Sequence, residues 1–196
     1  MFNFIKCPRR LPNVPHWVSS SNWPALLESL KEKNLAKIKT EFDALTLKKF
    51  EIEASSIMYI PLLEQADQFN LCMFYLPQGA CLPWHNHPGQ DVLGKVLMGS
   101  LEVASADLLG VCDLIQTEPA VITPKSPSFA VEPDKNNIHR ITALTDTLFL
   151  DLVMPPYSLR RTITYYLPEL GRFRAVSERH VQIDMQLADI NTLVPR

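Results

Sequence analysis

The spacing of apolar residues changes near residue 56 and divides the chain into two textures. Upstream, Leu26, Leu27 and Leu30, then Leu35, Ile38, Phe42 and Leu45, recur every three or four residues with Lys and Glu between them. That period lines up each set on one stripe, so two consecutive amphipathic helices are expected over about 24–49, joined near Asn34. Ser19-Ser20-Ser21-Asn22 offers capping oxygens ahead of Trp23-Pro24, and proline suits a first helical turn. Downstream come short β-type runs beginning at Ser56, Leu71, Val92, Leu101, Ala120, Phe129, His139 and Thr147, each broken by Pro, Gly, Asn or Asp. The alternating stretch from His180 to Leu187 reads as a late edge strand. Many short strands with no long helical pattern between them point to an antiparallel sandwich or barrel.

With 196 residues and 46% hydrophobic content, the chain is expected to form one domain with a sizeable core. Residues 1–55 would be a helical N-terminal region packed on a barrel spanning 56–190. The helical stripes are read as packing faces, in preference to a membrane or calmodulin-like role. Charge is nearly balanced, at 19 basic against 21 acidic residues, and the basic pairs Arg9-Arg10, Lys48-Lys49 and Arg160-Arg161 are scattered. A nucleic-acid face would cluster them, so no nucleic-acid partner is expected. No apolar run approaches the roughly 20 residues that span a bilayer, which argues for a soluble, cytoplasmic protein, with the nucleus also open to it. Cys7, Cys72, Cys81 and Cys112 show no CxxC and no regular spacing, so reduced, mostly buried thiols are expected in place of a zinc knuckle or disulfide framework.

The chemistry concentrates in Trp84-His85-Asn86-His87-Pro88-Gly89. Two histidines two residues apart point the same way on a strand, which makes half a metal site; the plain alternative is a hydrogen-bonded surface pair. A stable site needs at least one more ligand from elsewhere in the fold. His139 is the best third candidate, since it opens a strand-like run after the polar turn Glu132 to Asn137, whereas His16 and His180 sit in less strand-like or more terminal contexts. Asp91 lies four residues after His87 and is a candidate fourth ligand if the strand stays regular, or else a solvated or hydrogen-bonded carboxylate.

The stretch from Gly79 through His85, His87 and Asp91 to Gly99 resembles the first motif of the cupins. A closer resemblance is to the cysteamine dioxygenase and plant cysteine oxidase family of thiol dioxygenases. His85-Asn-His-Pro-Gly89 is similar to its HDHPG signature and Lys95-Val-Leu-Met-Gly-Ser100 to its KxLxGS segment. His139, the block Leu150-Asp151-Leu-Val-Met-Pro-Pro-Tyr157 and the pair Tyr165-Tyr166 resemble later landmarks, so the likeness covers about residues 70–167.

The resemblance implies a mainly β fold, a small cupin-type antiparallel barrel (double-stranded β-helix) with an N-terminal helix pair. It implies mononuclear non-haem Fe(2+) held by His85, His87 and His139, with Asp151 and Tyr157 helping to orient substrate. Three neutral imidazoles would leave the divalent charge free to attract a thiolate, and the sulfur would be taken to the sulfinic acid with O2. The substrate would be the N-terminal cysteine of a peptide or a small aminothiol, and the enzyme a monomer. A metal-dependent cupin enzyme of another chemistry and a non-catalytic cupin sensor are the alternatives. Read from its own surroundings, Asp151 in the apolar run from Leu148 to Val153 needs a partner, which could be structural. Tyr157 could equally be a core aromatic. Ile163 stands two residues before Tyr165, where animal cysteamine dioxygenases carry a cysteine that can cross-link to the tyrosine, so no such link is expected. Trp84 and Gln90 depart from the family pattern and are expected to reshape the pocket.

Overall fold

Both helices form, as α1 (Trp23–Glu32) and α2 (Leu35–Asp43), and Asn34 joins them as the cap of α2, accepting the Lys37 backbone N–H at 3.1 Å. The computed structural model describes residues 23–47, 52, 54–109, 113–169 and 172–188. The Ser19 to Asn22 cap, His16, Cys7 and Cys112 therefore lie outside the described residues. α2 stops at Asp43, short of residue 49, because the chain there turns to the barrel. The Asp43 carboxylate accepts the Ser128 N–H, Lys39 Nζ reaches the Ser128 carbonyl at 3.3 Å, and Leu45 leaves the helix to be buried.

The first sheet runs β13 (Met185–Leu187), β1 (Ile57–Gln65), β2 (Phe69–Leu76), β10 (Thr147–Met154), β4 (Asp91–Met98) and β8 (Phe129–Val131). Its pairs are antiparallel except β13 on β1. The second sheet runs β12 (Arg172–Ser177), β11 (Thr164–Glu169), β3 (Cys81–Asn86), β9 (Ile138–Ala143), β5 (Leu101–Leu109) and β6 (Asp113–Gln116), with β7 (Ala120–Ile122) also on β5. Strands β6, β11 and β12 are absent from the apolar-run reading. β6 and β12 are mostly exposed and carry little apolar contrast, and Pro168 interrupts β11. The expected strand from His180 shrinks to Met185–Leu187, since Glu178–His180 forms a single 3-10 turn.

Strand alternation assigns the faces. Leu148, Leu150 and Leu152 of β10 pack with Trp23, Leu26, Leu30, Ile38 and Phe42 of the helices. Phe149 points the other way, to Leu82, Leu101 and Ile141 of the second sheet. The first sheet is thus buried on both sides, by helices outside and by the barrel interior inside. Full burial of each such side chain is worth about 1.5–3 kcal/mol, so the helix layer adds substantially to stability. The result is the mainly β, antiparallel barrel with N-terminal helices that the sequence implied. No described helix is long and apolar enough to cross a membrane. Of the described cysteines Cys72 is a buried free thiol, whereas Cys81 is exposed, contrary to the expectation of burial.

Gly94 of β4 lies opposite Phe129 of β8, and the Phe129 ring fills the space that a Cβ would need. The same ring reaches across the barrel to Phe149, with centroids 6.3 Å apart, and to His139, at 6.2 Å. Gly94→Ala is therefore expected to overpack this contact and cost about 1–3 kcal/mol in urea unfolding. Unchanged stability would show that the ring moves aside freely.

Candidate metal centre

A bulge in β3 aims the histidines inward. Leu82 pairs with Ile141 and His85 with His139, so three steps along β3 match two along β9. The extra residue falls at Pro83-Trp84, where proline leaves no N–H unpaired. Strict alternation from Leu82 would have turned Trp84 into the barrel; instead Leu82 and His85 both face inward and Trp84 faces out. There Trp84 packs with Ala104, Ala106 and Ile138, meets Phe173 edge-on at 6.0 Å and lies beneath the Arg140 guanidinium at 5.5 Å. Trp84 therefore supports the back of the second sheet and does not reshape the pocket.

His87 follows two residues on from His85, and His139 enters from β9. His139 Nε2 stands 3.0 Å from His85 Nε2 and 2.9 Å from His87 Nε2. Among the described residues no other set of three or more His, Cys, Asp or Glu side chains converges in this way. All three rings are buried. Burial lowers the pKa of His85 to about 4 and holds His87 and His139 well below their ordinary range, with the charge of His85 a further cause for both and that of His87 for His139. The cluster is therefore neutral at physiological pH, as ligation requires.

Hydrogen bonds on the far side of the rings decide which nitrogen faces in. His85 Nδ1 is 2.7 Å from the Pro83 carbonyl, which can only accept, so Nδ1 carries the proton and Nε2 a lone pair. Tyr157 Oη donates to the Asn86 carbonyl at 2.8 Å and lies 2.8 Å from His87 Nδ1. Its single proton being so used, it accepts from His87 Nδ1–H. Two inward lone pairs then meet His139 Nε2, which could donate to only one of them, while His139 Nδ1 has no partner. Three converging imidazole nitrogens that cannot all pair with one another are a donor set suited to a cation.

Asn137 completes the frame, and sequence reasoning missed it. Its side-chain N–H groups donate to the carbonyls of His87 at 2.7 Å and of Glu132 and Pro133 at 3.0 Å, while its backbone carbonyl accepts His87 N–H at 3.1 Å. Asn136, beside it, takes a left-handed φ of 52°, which asparagine tolerates in a turn. The Asn136-Asn137 pair ahead of His139 was the available signal.

Asp91 is not part of this group. The Pro88-Gly89 turn, with Gly89 at φ 65°, breaks the strand, and Asp91 opens β4 in the opposite sheet. Its carboxyl is raised above the usual range by partial burial and by Glu132. Gln90 is fully buried, but its side-chain N–H donates to the Pro155 carbonyl at 2.8 Å, so it anchors the loop after β10. His180 is exposed and bonded to Ser177.

The cluster forms one wall of a cavity of about 510 Å³ of empty space, counting its mouth open to solvent. Asp151 and Tyr157 line it, with Tyr165, Phe74, Phe149 and Ile163. Ile183 and Met185, just before and within β13, add to the wall. Asp151 Oδ1 has no hydrogen-bond partner, and burial raises its carboxyl to about 7. A carboxylate so placed is incomplete within the protein and suits a cationic or hydrogen-bond-donating ligand.

The PCO_ADO family profile matches residues 26–189. The chain is 31% identical over 169 residues to a probable 2-aminoethanethiol dioxygenase of Dictyostelium discoideum, covering 81% of this chain and 76% of that one. It is 30% identical over 190 residues to plant cysteine oxidase 1 of Arabidopsis thaliana, covering 83% of this chain but only 64% of the plant protein. Among solved structures, a cupin superfamily protein from Desulfitobacterium hafniense is similar at a TM-score of 0.42 and 16% identity, covering 53% of this chain and 82% of that one. With its profile match running from the first helix to beyond the last described strand, the chain belongs to the PCO_ADO family.

Proposed function

We propose that the protein is an iron-dependent thiol dioxygenase that oxidises a cysteine-like thiol, on the N-terminal cysteine of a peptide or on a small aminothiol, to the sulfinic acid with O2. The observation that carries this reading is the meeting, in one cavity, of three neutral inward-facing imidazoles and a buried, unpaired carboxylate oxygen, Asp151 Oδ1. Relatives named 2-aminoethanethiol dioxygenase and plant cysteine oxidase support it. His85, His87 and His139 would hold Fe(2+), which when bound supplies a centre that favours thiolate over thiol and activates oxygen.

The chain's own residues do the rest. Neutral ligands add no charge to offset an incoming thiolate. Asp151, anionic once paired, takes the substrate ammonium and so fixes the amine end of an aminothiol relative to the three imidazoles. Tyr157 lines the same cavity with its hydroxyl turned to the Asn86 carbonyl and His87 Nδ1. Phe74, Phe149, Ile163 and Ile183 exclude water, which strengthens the contact between ammonium and carboxylate. With Asp91 outside the cluster, the closed three-His-one-carboxylate site that would favour a non-catalytic cupin has no support here.

The direct test is anaerobic loading with ferrous iron, then exposure to air with an N-terminal-cysteine peptide or cysteamine. Mass spectrometry should find both oxygen atoms added to the thiol. His139→Ala is expected to lower bound iron from about one per chain to near none and to abolish turnover, measured by metal analysis and oxygen uptake. Activity surviving in that variant would overturn the ligand assignment.

Asp151 also gives a pH signature to the metal-free protein. With a folded pKa of about 7 against an ordinary 3.8, the folded state binds the proton more tightly. The penalty for ionising the buried group is absent below pH 3.8, grows between the two values and is complete above pH 7. The stability of Asp151→Asn relative to the parent should therefore rise by on the order of a few kcal/mol from pH 4 to pH 8 in urea unfolding. A difference that does not change with pH would mean that the carboxylate is paired or solvated.

A further inference from the structure

The loop that carries Tyr157 is fixed at several points. Gln90, itself fully buried, donates to the Pro155 carbonyl at 2.8 Å, Arg161 Nε donates to the Pro156 carbonyl at 3.3 Å, and Ser158 and Arg161 close a turn through paired backbone bonds of 3.0 Å. From this support the Tyr157 hydroxyl reaches the Asn86 carbonyl and His87 Nδ1, each at 2.8 Å. A carbonyl cannot donate, and a hydroxyl has one proton. If that proton went to His87 Nδ1, the Tyr157 and Asn86 oxygens would face each other at 2.8 Å with nothing between them. The arrangement in which every contact is a hydrogen bond runs from His87 Nδ1–H to Tyr157 Oη, and from Tyr157 Oη–H to the Asn86 carbonyl.

We infer that Tyr157 is a positioning residue for His87, its hydroxyl holding that imidazole in the Nδ1–H tautomer so that the Nε2 lone pair faces the other two histidines. This rests on the metal-centre reading above and moves Tyr157 from the substrate to the support of a ligand. His85 is held in the same tautomer by the Pro83 backbone, which no side-chain substitution can remove. His87 depends on a side chain that can be changed. Groups that orient a ligating histidine in this way typically govern metal affinity by about 10–100-fold.

The test compares the full chain with Tyr157→Phe in three measurements. In metal-free protein, nitrogen-15 NMR of the histidine rings should find His87 as the Nδ1–H tautomer in the parent and as a mixture in the variant. Ferrous iron affinity, measured by competition with a chelator, should fall about tenfold to a hundredfold in the variant. At saturating iron the KM for the thiol should not change. An Nε2–H tautomer in the parent, an undiminished iron affinity in the variant or a raised KM would each overturn the inference, the last because it places the hydroxyl on substrate. If circular dichroism shows the variant unfolded, the tautomer in the parent decides alone. A parent that binds no iron sinks the metal-centre reading, while the tautomer is still judged by its own spectrum.

Discussion

Because side chains alternate along a strand, the extra residue that β3 carries between Leu82 and His85 sets the facing of everything after it. With that bulge, Leu82 fills the barrel core and His85 still faces inward, opposite His139. Trp84 is displaced to the outer face, where its bulk stacks beneath Arg140 and beside Phe173. The bulge also leaves the Pro83 carbonyl beside His85 Nδ1, so one irregularity both aims the ring and fixes its tautomer.

The interior so formed has two electrostatic characters. Around the histidines, burial removes protons and leaves neutral donors; at Asp151, burial works in the opposite direction and retains a proton near neutral pH. Both groups are held in the form that carries less charge, and each is relieved by a cation. A metal ion for the imidazoles and an ammonium for the carboxylate would both release energy that folding alone leaves unclaimed. The unsatisfied Asp151 Oδ1 is the acceptor such an ammonium would meet, whereas His139 Nδ1, on the far side of its ring from the Nε2 cluster, has no partner with or without a cation.

Much of this could be read from the sequence, and what could not has a physical reason. The helix pair showed in the spacing from Leu26 to Phe42, and strands such as β10 in runs of buried Leu and Phe, since a sheet covered on both faces reads as a continuous apolar segment. The histidine pair and His139 stood out because ligating residue types at strand spacing are specific. The half-exposed strands β6 and β12 carried no such contrast. Asp91 stayed open between ligand and solvated carboxylate because its distance from His87 in residues suggests a shared face that the Pro88-Gly89 turn destroys. Trp84 misled for the converse reason, since a bulge has no signature in residue type alone. Asn137 escaped because its function lies in the backbone groups it binds, far away in sequence.

The parallel pairing of β13 with β1 has a consequence for the order of events during synthesis. Ile183 and Met185 close one side of the cavity, yet they are reached only after every other described strand has been made, and they dock on β1 near the start of the barrel. A contact between such distant parts of the chain closes a longer loop, at a greater entropic cost, than the meeting of the histidines of β3 and β9 in the second sheet. Any opening of this last-made strand from β1 would therefore uncover one side of the histidine cavity while leaving β3 and β9 paired.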